Sequence, residues 1–321
     1  SSFGVASLED PLVWAQVESK YPDRKQVIPT NIPKQCPVDN LKGLRDALLA
    51  LRNGKSPGAG GLRPEFLKAL AEVFEPGQMS LLEDFGMRYL RGDLPPWWYT
   101  VWPSVQVVGL YKSEEQVAIR PIGIRNPLQK AFCGQVVLEA KEDFRAVLEP
   151  QQLGFSAGGA AKLVHATRML LESNETFCCA TNDAKNAYNE NARASAVRAT
   201  VKEPRLQHLG WFAASSLTAS HGMESRGKLR GRVGEGQTQG APEAGGFFAS
   251  SIQEPLEVLD STVAEVGGMA RAGWDDIYVI GPPEVVFPAL DVFWQYVEEH
   301  CGLQRQRSKC AVYTHDGQRP P

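Results

Sequence analysis

Ala272-Gly273-Trp274-Asp275-Asp276-Ile277-Tyr278-Val279-Ile280-Gly281 sets two adjacent carboxylates at a tight turn and follows them with an apolar, β-branched strand. Side chains alternate along a strand, so neighbouring aspartates diverge unless a turn intervenes. A pair fixed at a hairpin tip is suited to holding a hard cation. Asp is also a good turn former, so by itself the pair reads first as a solvated loop. The decision rests on whether the chain supplies a further carboxylate, a phosphate clamp and a nucleotide pocket around it.

Upstream, Phe177-Cys178-Cys179-Ala180-Thr181 has the composition of a short buried strand, closed by Asp183 and followed by Ala184-Lys185-Asn186-Ala187-Tyr188-Asn189. A carboxylate at a strand end with an aromatic five residues on can bind a metal and set a flat ring against a sugar; a surface Asp before a helix is the plainer reading. A helix is expected from Ala192 to about Lys202 and another over Leu206 to Ser220. In His221 to Arg232, the cations Arg226, Lys228, Arg230 and Arg232 are spaced two apart, so on a strand all four would share one side. The Gly-rich run Gly234 to Pro242 leads into a helix from Glu243 to about Leu259. So much Gly lets backbone approach a base pair closely, and Gln239 offers both donor and acceptor. Gly267 to Gly273 is a poor strand by propensity. Residues 284 to 300 read as a helix and Ser308 to Tyr313 as a strand that begins near Lys309.

Further out, Val105 to Lys112 and Ile119 to Ile124 read as a hairpin presenting Lys112 and Arg120 near its tip. Two such cations can grip a polyphosphate, Arg bidentately and Lys as a point charge, or can simply be exposed. Helices are expected from a cap at Asp39 or Asn40 to an end at Gly54, over Pro64 to Phe74, Gln78 to Leu90, Leu128 to Leu148 and Ala160 to Glu172. The loop Lys55-Ser56-Pro57-Gly58-Ala59-Gly60-Gly61 lacks the spacing of a P-loop, which argues against NTPase chemistry. Residues 1 to 40 carry scattered prolines and read as a lead-in with one short helix near Pro11 to Ser19.

Composition bounds these readings. The 321 residues, 43% hydrophobic and 22% charged, are those of a globular protein. A net charge of -3 is not that of a basic DNA-binding domain, so any nucleic-acid groove must be a local basic lining. No apolar run reaches the roughly eighteen residues of a membrane span, and Ser1-Ser2-Phe3-Gly4-Val5 lacks the basic and apolar regions of a secretory signal. The six cysteines contain no C-x-x-C pair, which argues against a zinc ribbon and a disulfide scaffold. An intracellular, reduced setting, cytoplasmic or nuclear, is expected, with no membrane partner.

Taken in order, the features resemble the fingers and palm of a reverse transcriptase, most closely those of non-LTR retrotransposons and group II introns. The resemblance is carried by Lys55 to Gly61, by Leu110, Lys112 and Arg120-Pro121-Ile122, by Gly154-Phe155 with Gly158, and by Asp183 to Asn189. It continues through Gln239-Gly240-Ala241-Pro242, Trp274-Asp275-Asp276, and Gly302-Leu303 through Ser308-Lys309-Cys310. Together these span roughly residues 40 to 315.

The resemblance implies an α+β right-hand polymerase with an antiparallel palm sheet packed on helices and most of the thumb absent. Residues 1–40 would be a lead-in, 41–180 fingers-like and 181–321 palm-like, with 190–235 an insertion contributing to the fingers. Asp183 and Asp275 would bind two Mg²⁺ ions, for which Mn²⁺ can substitute, with the Ala184 carbonyl completing one site and Asp276 supporting it. Lys112 and Arg120 would neutralise the triphosphate, Gln239 and Gly240 would adjoin the nucleotide, and Tyr188 would stack beneath the sugar and exclude a 2′-hydroxyl. Lys309 would protonate the leaving pyrophosphate. The implied partners are an RNA template, a DNA primer and deoxynucleoside triphosphates, with oligomeric state left open.

Four departures from the family pattern stand out. Ala241 and Glu243-Ala244 remove usual polar groups from the turn, Asn182 interrupts the apolar run before Asp183, Trp274 is large enough to crowd primer or metal, and Gly267 to Gly273 ahead of it is a poor strand. Two rival readings follow: an RNA-dependent RNA polymerase, which Tyr188 disfavours, and a degenerate polymerase-fold domain that binds nucleic acid or protein.

Overall fold

The strand after the paired aspartates buries Ile277, Val279 and Ile280 and has antiparallel neighbours on both sides. In the computed structural model, which describes residues 4–23 and 26–315, the strands in chain order are β1 Val5–Ala6, β2 Val105–Tyr111, β3 Ile119–Ile124, β4 Cys178–Asn182, β5 His221–Ser225, β6 Lys228–Val233, β7 Met269–Gly273, β8 Asp276–Gly281 and β9 Ala311–Thr314. Among the described residues they form two sheets.

The first sheet, ordered β7-β8-β4-β9, is antiparallel throughout. Both faces of its inner strands β8 and β4 are covered, while the edge strand β9 stays exposed, which explains the near-continuous apolar run of β4. Cys178, Ala180, Ile277 and Val279 face the helices Ala244–Ala264 and Pro283–Cys301, while Cys179, Tyr278 and Ile280 pack with Leu163 and Phe177 on the other side. Asn182, which breaks the pattern in sequence, is buried, and its Oδ1 accepts from Trp294 Nε1 at 3.2 Å. β7 forms despite its poor propensity because it is paired along its length. Its edge is also tied to the loop after Leu148: the Ala272 N–H donates to Gln151 O at 2.7 Å and the Leu153 N–H to Ala272 O at 2.8 Å. Arg271 Nη1 adds an ion pair to Asp260 at 2.6 Å.

In the second sheet β2 is central, pairing antiparallel with β3 and β1 and parallel with β5, which continues into β6. The segment expected as a lead-in is built into this sheet. β1 pairs Val5 with Leu110, and the helix Pro11–Glu18 buries Val13, Trp14 and Val17 against Val105, Val107 and Ile119. In the β5–β6 hairpin the expected row of four cations is interrupted, because Arg226 occupies the turn at φ 50°. Of the three that remain on β6, Arg230 lies 4.9 Å from the Trp14 ring centroid and 3.6 Å from Glu9.

A third, helical core gathers Leu44, Leu48, Phe132, Phe144, Phe212 and Phe247. The helix expected over Leu128 to Leu148 is two, Pro127–Glu139 and Lys141–Leu148, meeting at Ala140 with φ -79° and ψ 1°. No Gly or Pro announces this break; it lets Phe132 and Val136 on one helix and Phe144 and Leu148 on the next all reach buried positions. The helix expected from Asp39 or Asn40 starts only at Leu44, since Asn40 Oδ1 instead accepts from the Lys42 N–H at 3.1 Å in a local turn. All six cysteines are free thiols, and no helix among the described residues is long and apolar enough to cross a membrane.

Candidate active site

A two-residue turn joins β7 to β8, with Gly273 opposite Asp276 and Trp274-Asp275 at the tip. Trp274 has φ 64°, the left-handed region that the first central residue of such a turn requires and that Gly usually fills. For a bulky residue this conformation costs about 1–3 kcal/mol and persists only where surroundings enforce it. Two contacts enforce it here. The buried Gln152 side chain accepts from the Trp274 N–H at 3.2 Å and donates to its carbonyl at 3.0 Å. The indole lies in a slot between Gly154 and Gly245, where a Cβ would stand 2.5 and 2.7 Å from the ring, and meets Phe155 edge-on at 5.2 Å. Trp274 therefore anchors the turn from behind and does not line the cleft that Asp275 faces.

That cleft, of about 110 Å³, lies between the two sheets and is lined by Asp183, Ala184, Tyr188, Gln239, Asp275, Lys309, Lys112 and Arg120 among others. Asp183 arrives directly after β4. An isolated bridge there, Ala184 opposite Arg305, has the Lys185 N–H donating to Gln304 O and the Gln306 N–H to Asp183 O, both at 2.8 Å, so Ala184 itself stays out of the ladder. Tyr188 stacks on Phe248 with centroids 4.8 Å apart, and burial, with the Asp275 charge adding to it, raises its phenol pKa well above the ordinary value. The Gly-rich run crosses behind it: the Gln237 N–H donates to Tyr188 O at 2.6 Å, and Gly236 passes so near Asn189 O that a Cβ would be 2.1 Å away. This crossing brings Gln239 to the cleft.

Lys112 and Arg120 come from the second sheet. Arg120 is opposite Leu110 in the β2–β3 register, and Lys112 is two residues beyond Leu110, so strand alternation sends both cations to one face. Lys309, from the short turn Arg307–Lys309 that precedes β9, forms an ion pair with Asp183. Strand therefore begins at Ala311, later than expected.

Two expected site residues lie elsewhere. Asp276 opens β8 on the face opposite buried Ile277 and is outside the cleft lining, because the turn ends one residue earlier and strand alternation separates it from Asp275. Gly240 is exposed at φ 91° and also lies outside. The carboxylates still sense one another: burial raises the pKa of Asp275, and the Asp276 and Asp183 charges add to the shift.

The sequence missed Lys20, which reaches the cleft from the end of the N-terminal helix, and the pair Arg125–Glu243. Glu243, read as a departure, forms a buried ion pair with Arg125, whose Nη2 also donates to Thr238 Oγ1 at 3.3 Å. The pair ties the end of β3 to the start of the helix Ala244–Ala264. Neither residue carried a local signal, since they lie 118 positions apart.

The cleft's oxygen donors are two carboxylates, Asp183 and Asp275, with Ala184 beside them. Among the described residues no group of three or more His, Cys, Asp or Glu side chains is placed to hold a metal ion. Two of the three expected carboxylates thus line the cleft, with Asp276 close enough to act on both by charge, and the donors present match the way Mg²⁺ is held by one or two carboxylates completed by substrate phosphates.

No family model and no curated protein matches the chain. Among solved structures, apo telomerase from Candida tropicalis is similar over 66% of this chain and 45% of its own, with 12% identity and a TM-score of 0.50. The same telomerase truncated from its C-terminal domain gives 14% identity, coverage of 66% and 50%, and a TM-score of 0.48. The chain therefore spans about half the length of those proteins. The likeness at 0.50 supports a reverse-transcriptase-like fold.

Proposed function

We propose that this chain catalyses RNA-templated DNA synthesis as part of a retroelement, transferring a nucleotide from a deoxynucleoside triphosphate to a primer 3′-hydroxyl. The observation that carries this reading is the single cleft where Asp183 and Asp275 from one sheet face Lys112 and Arg120 from the other. Telomerase is a reverse transcriptase, and the shared fold supports the polymerase class; the retroelement type rests on the motif order in the sequence.

In this reading Asp183, Asp275 and the Ala184 carbonyl would hold Mg²⁺, with Mn²⁺ as a substitute, and substrate phosphates would complete the site. Bound there, the metal supplies Lewis-acid activation of the attacking hydroxyl and neutralises charge on the leaving pyrophosphate. Lys112 and Arg120 bind the triphosphate and place positive charge where negative charge develops. Tyr188, stacked on Phe248 and lining the cleft, would stack beneath the sugar and disfavour a 2′-hydroxyl by steric clash. Lys309, which lines the cleft and pairs with Asp183, would deliver a proton to the leaving pyrophosphate.

Primer extension on an RNA template tests the proposal. Asp275→Asn should abolish Mg²⁺-dependent extension with deoxynucleotides. Full activity of that variant would overturn the carboxylate assignment, and preferential incorporation of ribonucleotides would favour an RNA-dependent RNA polymerase. A second reading is a catalytically degenerate polymerase-fold domain kept for binding nucleic acid or protein. Tight primer–template binding without any extension would select it.

A further inference from the structure

Lys20 follows the helix Pro11–Glu18 and is fixed on both sides by burial, with Val17 before it and Tyr21 after it packed in the second sheet's core. Its Nζ donates to the Ile119 carbonyl at 2.6 Å, at the residue preceding Arg120. One of its three N–H donors is thus used on the hairpin and the ammonium lies in the cleft beside Lys112 and Arg120. Among the described residues no carboxylate forms an ion pair with any of these three cations. The nearby Glu190 accepts instead from Asn186 Nδ2 at 2.9 Å. Burial, with the Lys112 and Arg120 charges adding to it, lowers the Lys20 pKa to about 8, and burial with Lys309 and Arg120 lowers that of Lys112. Lys20 is half-buried beside the exposed Lys112 and Arg120, and their like charges, which Asp183 and Glu190 offset only in part, repel one another until a polyanion enters.

We infer that Lys20 is a third cation of the triphosphate cradle, so that the N-terminal segment contributes directly to binding the incoming nucleoside triphosphate. The inference deepens the polymerase reading and rests on it. The ligand is a triphosphate in preference to a nucleic-acid phosphodiester, because three cations converge on one small cleft beside the two carboxylates and do not line up along a surface groove.

The test is binding of thymidine triphosphate and of inorganic tripolyphosphate to the full chain, with Lys20→Met, which keeps the apolar stem, and Lys20→Arg, which keeps the charge. Lys20→Met should weaken both ligands by about tenfold or more. Thymidine monophosphate and primer–template affinities should be unchanged, and Lys20→Arg should recover most of the loss. A Lys20→Met protein that melts earlier but binds triphosphate normally would reduce Lys20 to a structural pin and overturn the inference. Loss of primer–template affinity in place of triphosphate affinity would overturn it in favour of a nucleic-acid contact. Arg120→Ala separates the two levels: if it loses triphosphate affinity while Lys20→Met does not, this inference fails and the polymerase reading stands. If the unaltered chain binds no triphosphate, both fail. Lysine acylation of the unaltered protein, mapped by mass spectrometry, needs no variant; tripolyphosphate should protect Lys20, and an unprotected Lys20 would likewise overturn the inference.

Discussion

The two walls of the cleft are built on opposite principles. The carboxylate wall belongs to a sheet buried on both faces, and its key turn is clamped by Gln152 and by an indole seated between two glycines. The cationic wall is assembled from a hairpin and an N-terminal helix, with like charges facing one another and no carboxylate ion pairs among the described residues. One wall is rigid without a substrate; the other stores repulsion that an anion relieves. Arg125–Glu243 links the end of the hairpin to the helix beneath the carboxylate sheet, fixing the spacing between the walls.

Removing a charge from the rigid wall should break this contrast most severely. Asp183→Asn, nearly isosteric, should leave the thermal melt close to that of the parent protein while reducing primer extension on the order of 10³-fold, as expected when several kcal/mol of transition-state stabilisation is lost. A variant retaining a tenth of the activity would show that this carboxylate does not do the chemistry.

Next in size is the tie between the walls. Glu243→Ala leaves the Arg125 guanidinium buried without its partner, and chemical denaturation should report a loss of about 3–5 kcal/mol. The double replacement Arg125→Met with Glu243→Leu should recover much of it, because a packed apolar pair avoids the desolvation cost of the ions. If the single variant is as stable as the parent, the pair is not what joins the walls.

The clamp on the turn can be probed more gently. Gly154→Ala forces a Cβ to 2.5 Å from the Trp274 ring and should cost about 1–3 kcal/mol. Combined with Trp274→Gly, which empties the slot and suits the positive φ, the added penalty of the alanine should largely vanish. Additive losses in the double-variant cycle would place the indole outside that slot.

The smallest expected effect tests the cationic wall by pH. Lys20, at about 8 when folded against an ordinary 10.5, binds fewer protons in the folded protein than in the unfolded chain, so its contribution to stability should rise with pH between about 8 and 10. Lys112 and Arg120 oppose its charge and Glu190 favours it. Above pH 10 Tyr21, pushed up to about 12 by burial, works the other way. Comparing pH-dependent melts of the parent and Lys20→Met isolates the lysine; identical slopes in that window would show that Lys20 carries no repulsion.

Legibility in the sequence follows locality. Asp183 and Tyr188 share one short segment, Lys112 and Arg120 one hairpin, and Asp275 one turn, so residue type and spacing marked each of them, and the structure brings them to one cleft. Asp276 and Gly240 were marked by the same motifs yet lie outside it, since a motif does not say where a turn ends. Trp274, Glu243 and Asn182 looked like blemishes because their partners Gly154, Arg125 and Trp294 are remote in the chain.

By itself the sequence determined a chain with alternating strands and amphipathic helices in a reverse-transcriptase order, because periodicity and turn chemistry are written over a few residues at a time. Only the tertiary structure decided that the β7–β8 turn carries a tryptophan at positive φ, that a buried Arg–Glu pair joins the two walls, and that Lys20 reaches the cleft. Each of these depends on contacts between segments distant in sequence, whose energy exists only once the sheets and helices have packed.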